Sequence, residues 1–174
     1  MPDIILVGIT GVGKTTIGRE LATVLGKKFI DLDKNIELSC GVDIPTIFSI
    51  EGELGFRKRE TNELIKSLHN ETDYVLSLGG GVLTIDENRK ILLSCNKQVI
   101  VQLYAEIRVL VERLTKSTNK RPLLQQTDLI KKITELYESR KERYKEVADF
   151  TINTSEIRPD QTVNQIIKQI SKLK

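Results

Sequence analysis

Short apolar runs alternate with longer stretches of helical period along the chain, the pattern of a parallel sheet flanked by helices. The runs Ile4–Val7, Phe29–Asp31, Tyr74–Leu78, Gln98–Leu103 and Asp149–Ile152 predict five strands. A first helix carries Ile17, Leu21, Val24 and Leu25 on one face and stops at Gly26. Further helices are predicted from about Phe56 to Leu68, over Glu87–Ser94, over Ile107–Leu114, and over the long stretch Leu129–Val147. A last one follows Pro159, with Val163, Ile166, Ile167 and Ile170 spaced to face a core.

Two stretches break the alternation. Residues 32–60 are too many for a simple crossover and hold Gly41, Pro45, Gly52 and Gly55. Residues 116–127 are polar and basic and contain Pro122, which prevents a continuous helix. Insertions of this kind in an α/β scaffold serve as substrate-binding elements or lids, here on a single domain spanning 1–174. At 174 residues, with 39% hydrophobic and 29% charged positions, such a domain buries a proper core.

Charge and composition then narrow the partners. A net charge of +3 from scattered Lys and Arg, with no Trp and eight Phe and Tyr, favours small anions over nucleic acid. Cys40 and Cys95 match no metal spacing and read as reduced thiols of a cytoplasmic protein. The N-terminus lacks the basic region of a signal peptide, and no apolar run reaches membrane-spanning length. No long apolar surface stripe calls for more than a monomer.

Gly8-Ile-Thr-Gly-Val-Gly-Lys14-Thr15 fits G-x-x-x-x-G-K-[ST] between a predicted strand and a predicted helix. Such a loop turns backbone N–H groups toward phosphate oxygens, and the helix N-terminus adds a favourable dipole. Gly11, Val12, Gly13, Lys14, Thr15 and Thr16 are therefore the expected ATP cradle. Lys14 reaches the outer phosphates, and the Thr15 hydroxyl is placed to hold Mg²⁺. The loop alone does not choose between switch, motor and kinase. The chain is short for a motor and has no Asn-Lys-x-Asp to read guanine.

A second set of residues is more specific. Phe29-Ile-Asp31-Leu-Asp33, Ile36-Glu37, Glu51-Gly52-Glu53, Phe56-Arg57 and Glu60 come first, followed by Gly79-Gly80-Gly81, Arg121-Pro-Leu-Leu124 and Arg140 ahead of Tyr144. In order and spacing, over nearly the whole chain, this resembles the shikimate kinase family. The resemblance implies a three-layer P-loop kinase fold, with a five-stranded parallel sheet in the order 2-3-1-4-5. It also implies transfer of the ATP γ-phosphate to the 3-hydroxyl of shikimate, a step toward aromatic amino acids. It makes Asp33 hydroxyl anchor and base, and Asp31 a Mg²⁺ ligand through water. Arg121 becomes a lid cation over the phosphates, and Arg113 with Arg158-Pro159 flank adenine. The pattern departs after Arg140, where Lys-Glu-Arg precedes Tyr144, and in the lid at Ser117-Thr-Asn-Lys120.

The residue types suit that chemistry independently. An anionic polyol needs planar forked donors for its carboxylate, which Arg57 and Arg140 offer. It needs an acceptor for its hydroxyls, which Asp33 offers past the end of the second strand. Gly79, Gly80 and Gly81 would let it lie against bare backbone. Each feature also has a plainer reading. Asp31 and Asp33 could be cap residues, Arg57 and Glu60 a solvated helix pair, and His69 a surface helix end. Glu53 and Glu60 are read as orienting the arginines. A gluconate kinase on the same scaffold, or a non-catalytic nucleotide-binding module, stands as the alternative function.

Overall fold

The computed structural model describes residues 1–117 and 126–173. Five strands, β1 (Asp3–Val7), β2 (Lys28–Asp31), β3 (Tyr74–Ser77), β4 (Gln98–Tyr104) and β5 (Phe150–Asn153), pair in parallel in the order β2-β3-β1-β4-β5. Ile4, Ile5 and Leu6 of the central strand are fully buried, as are Val75, Leu76 and Val101 beside them. A strand covered on both faces has no reason to alternate, so these runs are continuously apolar.

Among the described residues eight α-helices surround the sheet: α1 (Lys14–Leu25), α2 (Leu32–Cys40), α3 (Ile44–Asn70), α4 (Asp86–Leu93), α5 (Ile107–Ser117), α6 (Gln126–Glu138), α7 (Lys141–Val147) and α8 (Pro159–Ile170). The connection from β1 to β2 runs toward one edge of the sheet and the others run the opposite way. Right-handed crossovers then set α1 on one face and the helices between β2 and β5 on the other. The packing agrees, because α1 lies against α8 on its side while α3, α4 and α7 adjoin one another on theirs. All five strand positions and the sheet order match the sequence expectations.

Three expectations need correction. Val24 is 58% exposed, whereas Gly18 and Ala22 are buried with Ile17 and Leu21. A Cβ at Gly18 would meet the Phe29 ring at 2.5 Å, so the glycine lets α1 turn this side onto the sheet. The buried face is centred nearer residues 18, 21, 22 and 25 than the large side chains alone suggest, and Val24 falls off its edge.

The predicted helix Leu129–Val147 is two helices, broken at Ser139 and Arg140. There the Ser139 hydroxyl donates back to the Leu136 carbonyl at 2.9 Å, a local bond that competes with continuing the helix. The insertion 32–60, left without helices before Phe56, is largely helical. Asp31 and Asp43 cap α2 and α3 by accepting from the backbone N–H of Lys34 and Thr46. The α3 segment changes direction at Gly52, whose φ of 68° no ordinary helix residue takes. Phe48 and Phe56 pack across that bend with ring centroids 4.7 Å apart.

Candidate active site

The carboxyl ends of β1, β2 and β3 meet at one edge of the core, where ligands lie in open α/β sheets. Residues 8–13 leave β1 and enter α1, with Gly8, Gly11 and Gly13 all at positive φ. The Lys14 ammonium folds back into this loop, donating to the carbonyls of Gly8 at 2.8 Å and Ile9 at 3.1 Å. Burial pulls it from its ordinary value down to about 8, against the opposing pull of Asp33 and Asp31. The loop opens into a cavity of about 520 Å³ lined by residues 10–17 together with Asp31, Asp33, Ser77, Gly80, Arg113 and Pro159.

At the floor of this cavity the Thr15 hydroxyl donates to Asp31 Oδ2 at 2.9 Å. Asp31 is also the cap of α2, so its plain and functional readings coexist in one side chain. It lies in register with Ser77 on β3. The donors here are all oxygens, and no group of three or more His, Cys, Asp or Glu able to hold a metal exists among the described residues. Such a set suits a hard cation that takes most of its ligands from phosphate and water, as Mg²⁺ does.

Next to Asp33 and Gly80, which line the cavity, residues from further elements come together. Asp33, on the first turn of α2, lies so close to Gly79 that a Cβ there would stand 2.6 Å from its Oδ1. A Cβ at Gly81 would stand 2.5 Å from Arg57 Nη2, so neither position admits any other residue without moving a charged group. Arg57 Nη1 donates to Glu60 at 2.6 Å, and its Nη2 faces Glu53 at 3.3 Å. The Glu60 side chain is only 1% exposed and that of Arg57 11%, which excludes the solvated pair. Arg140, at the break between α6 and α7, donates to the Gly80 carbonyl at 2.9 Å. Burial and the neighbouring Asp31 push the Asp33 carboxyl above its ordinary range, against the pull of Lys14 and Arg57. Two guanidinium groups, one carboxylate and a bare strip of backbone thus share one wall.

The opposite end is built by Arg113, which donates to the carbonyls of Val12 at 3.2 Å and Thr154 at 2.5 Å and to the Thr154 hydroxyl at 3.0 Å. Pro159 lines the cavity beside them, whereas the exposed Arg158 side chain pairs with Asp160 at 3.0 Å. Arg121 and most of the polar insertion around it lie outside the described residues. Sequence reasoning missed Thr154, which is 1% exposed and has no local motif to announce it. His69 is exposed at the end of α3, as expected.

A family model described as shikimate kinase matches residues 10–171. A shikimate kinase from Marinomonas sp. is 45% identical over 98% of the chain and 93% of its own length. A shikimate kinase from Neisseria meningitidis serogroup C is 43% identical over 97% and 96%. Among solved structures, a shikimate kinase from Acinetobacter baumannii in complex with shikimate superposes with a TM-score of 0.88. It is 40% identical and covers 100% of this chain and 95% of that one.

Proposed function

The chain belongs to the shikimate kinase family, and we propose that it transfers the γ-phosphate of ATP to the 3-hydroxyl of shikimate, using Asp33, Arg57, Arg140 and the backbone of Gly79–Gly81 as the acceptor wall. The convergence of both guanidinium groups with Asp33 beside the phosphate loop carries this reading. Arg57 and Arg140 grip the carboxylate, and Asp33 accepts from the hydroxyl that reacts. As the new O–P bond forms and the bond to the ADP oxygen breaks, the hydroxyl proton passes to Asp33. Its raised pKa suits that transfer. Lys14 already sits at the centre of its loop, so little rearrangement precedes its contact with the outer phosphates. Arg121 adds a second cation over the transferring group.

Thr15 and Asp31 would hold Mg²⁺, which when bound draws charge from the β- and γ-phosphates. No helix among the described residues is long and apolar enough to cross a membrane, and Cys40 and Cys95 are free thiols. Free thiols fit a reducing cytoplasm, where we propose that the protein works as a monomer.

A coupled ADP-release assay with shikimate, with gluconate and with no acceptor tests the assignment. ADP should appear with shikimate alone. Comparable turnover of gluconate would make the chain a general polyol kinase, and acceptor-independent release would remove the acceptor site from the scheme.

Replacing Arg57 with lysine should raise the KM for shikimate about tenfold or more while ATP affinity stays as it is. A single ammonium cannot reproduce a two-pronged contact and also remain paired with Glu60 and Glu53. An unchanged KM in steady-state kinetics would place the carboxylate elsewhere.

A further inference from the structure

Tyr144 lies on α7, fully buried against the same wall, and its hydroxyl donates to the Gly80 carbonyl at 2.6 Å. Arg140 donates to that same oxygen at 2.9 Å. A carbonyl oxygen has two lone pairs, so both are taken by these two donors. The Gly80 peptide is itself wedged against the phosphate loop, since a Cβ on it would stand 3.1 Å from the Thr10 nitrogen. The phosphate loop thus bounds one side of this peptide, while Arg140 and Tyr144 hold its carbonyl.

The proposed function gives Arg140 a second partner, the acceptor's carboxylate. Drawn toward that carboxylate, the guanidinium loosens its single bond from Nη1 to Gly80 in the scheme proposed below. Were Arg140 the carbonyl's only donor, that step would leave a half-buried acceptor unpaired and would oppose binding. With Tyr144 in place the oxygen keeps its shorter bond throughout.

We propose that Tyr144 is a positioning residue for the acceptor, holding the Gly80 carbonyl so that Arg140 is released to bind the carboxylate. This inference rests on the assignment of Arg140 made above. Burial pushes the Tyr144 phenol up to about 12, so it stays a proton donor across the working range and takes no part in proton transfer.

Tyr144→Phe removes one oxygen and keeps the ring that fills the core. It should raise the KM for shikimate roughly three- to tenfold, the range expected for one hydrogen bond. The kcat should stay within about twofold and the KM for ATP should not move, because the phosphates are not touched. Arg140→Ala should raise the shikimate KM further, and Tyr144→Phe added to it should have almost no additional effect, because the two act as one unit. A lowered Tm with unchanged shikimate KM would make the hydroxyl a packing group and overturn the proposal. Independent, multiplying effects of the two substitutions would overturn it too. An unchanged KM in Arg140→Ala would bring down the Arg140 assignment together with this inference, whereas failure of Tyr144→Phe alone leaves that assignment standing.

Discussion

Lys14→Ala is expected to lose at least a hundredfold in turnover, measured as ADP release with both substrates saturating. The loop holds this lysine through its bonds to the Gly8 and Ile9 carbonyls, where the proposed function puts the phosphates. Removing a stabiliser that is already in place forfeits the whole of its effect on the transition state. Turnover within about threefold of the unaltered protein would contradict the phosphate-loop assignment. A pH profile supplies a second check. With its ammonium held near 8 before substrates bind, Lys14 loses its proton as pH rises through that value, so kcat/KM for ATP should fall on the alkaline side. Bound phosphates favour the charged form, so the same limb in kcat should lie at higher pH.

Asp33→Asn should lower kcat by about a hundredfold or more while leaving ATP affinity nearly intact, since the amide keeps the shape and cannot take up a proton. Stability should move the other way. The folded protein raises the Asp33 pKa, which means that its ionised form is held at a cost from burial and from Asp31. That cost is absent below the carboxylate's ordinary range and fully felt above its raised value. At pH 8 the neutral variant should therefore melt at the same temperature or higher, a gain bought at the expense of activity. Collapse of ATP binding with phosphoryl transfer retained would instead make Asp33 a metal-site or structural residue.

What could be read from the sequence was what neighbours along the chain decide. The loop from Gly8 to Thr15 is contiguous, and the five strands announce themselves as unbroken apolar runs. The face of α1 was misread because hydrophobicity gives no weight to Gly18, whose lack of a side chain is what brings the helix against Phe29. The acceptor wall was legible only through resemblance. Nothing local says that Arg140 will meet Gly80, because the contact depends on where a helix breaks near Ser139. Thr154 reaches Val12 from almost the other end of the chain, and a lone threonine after a strand carries no signal. The helical character of residues 32–51 was hidden by Gly41, Pro45 and Gly52, which mark ends and a bend and not loops.

The strand order also fixes when the fold can assemble during synthesis. β1 is made before the other strands yet lies at the middle, and its two partners begin only at Tyr74 and Gln98. β2 cannot stand in, because it pairs with β3 and never with β1. Until β3 emerges from the ribosome, Ile4, Ile5 and Leu6 present an apolar segment with both edges open. Such a segment pairs readily with another chain. The nucleotide cradle waits longer still, since Arg113, which bonds Val12 directly, is also held by Thr154, made only after β5. A nascent chain of this protein is therefore most prone to aggregate early, at a stage when ATP cannot yet rescue it.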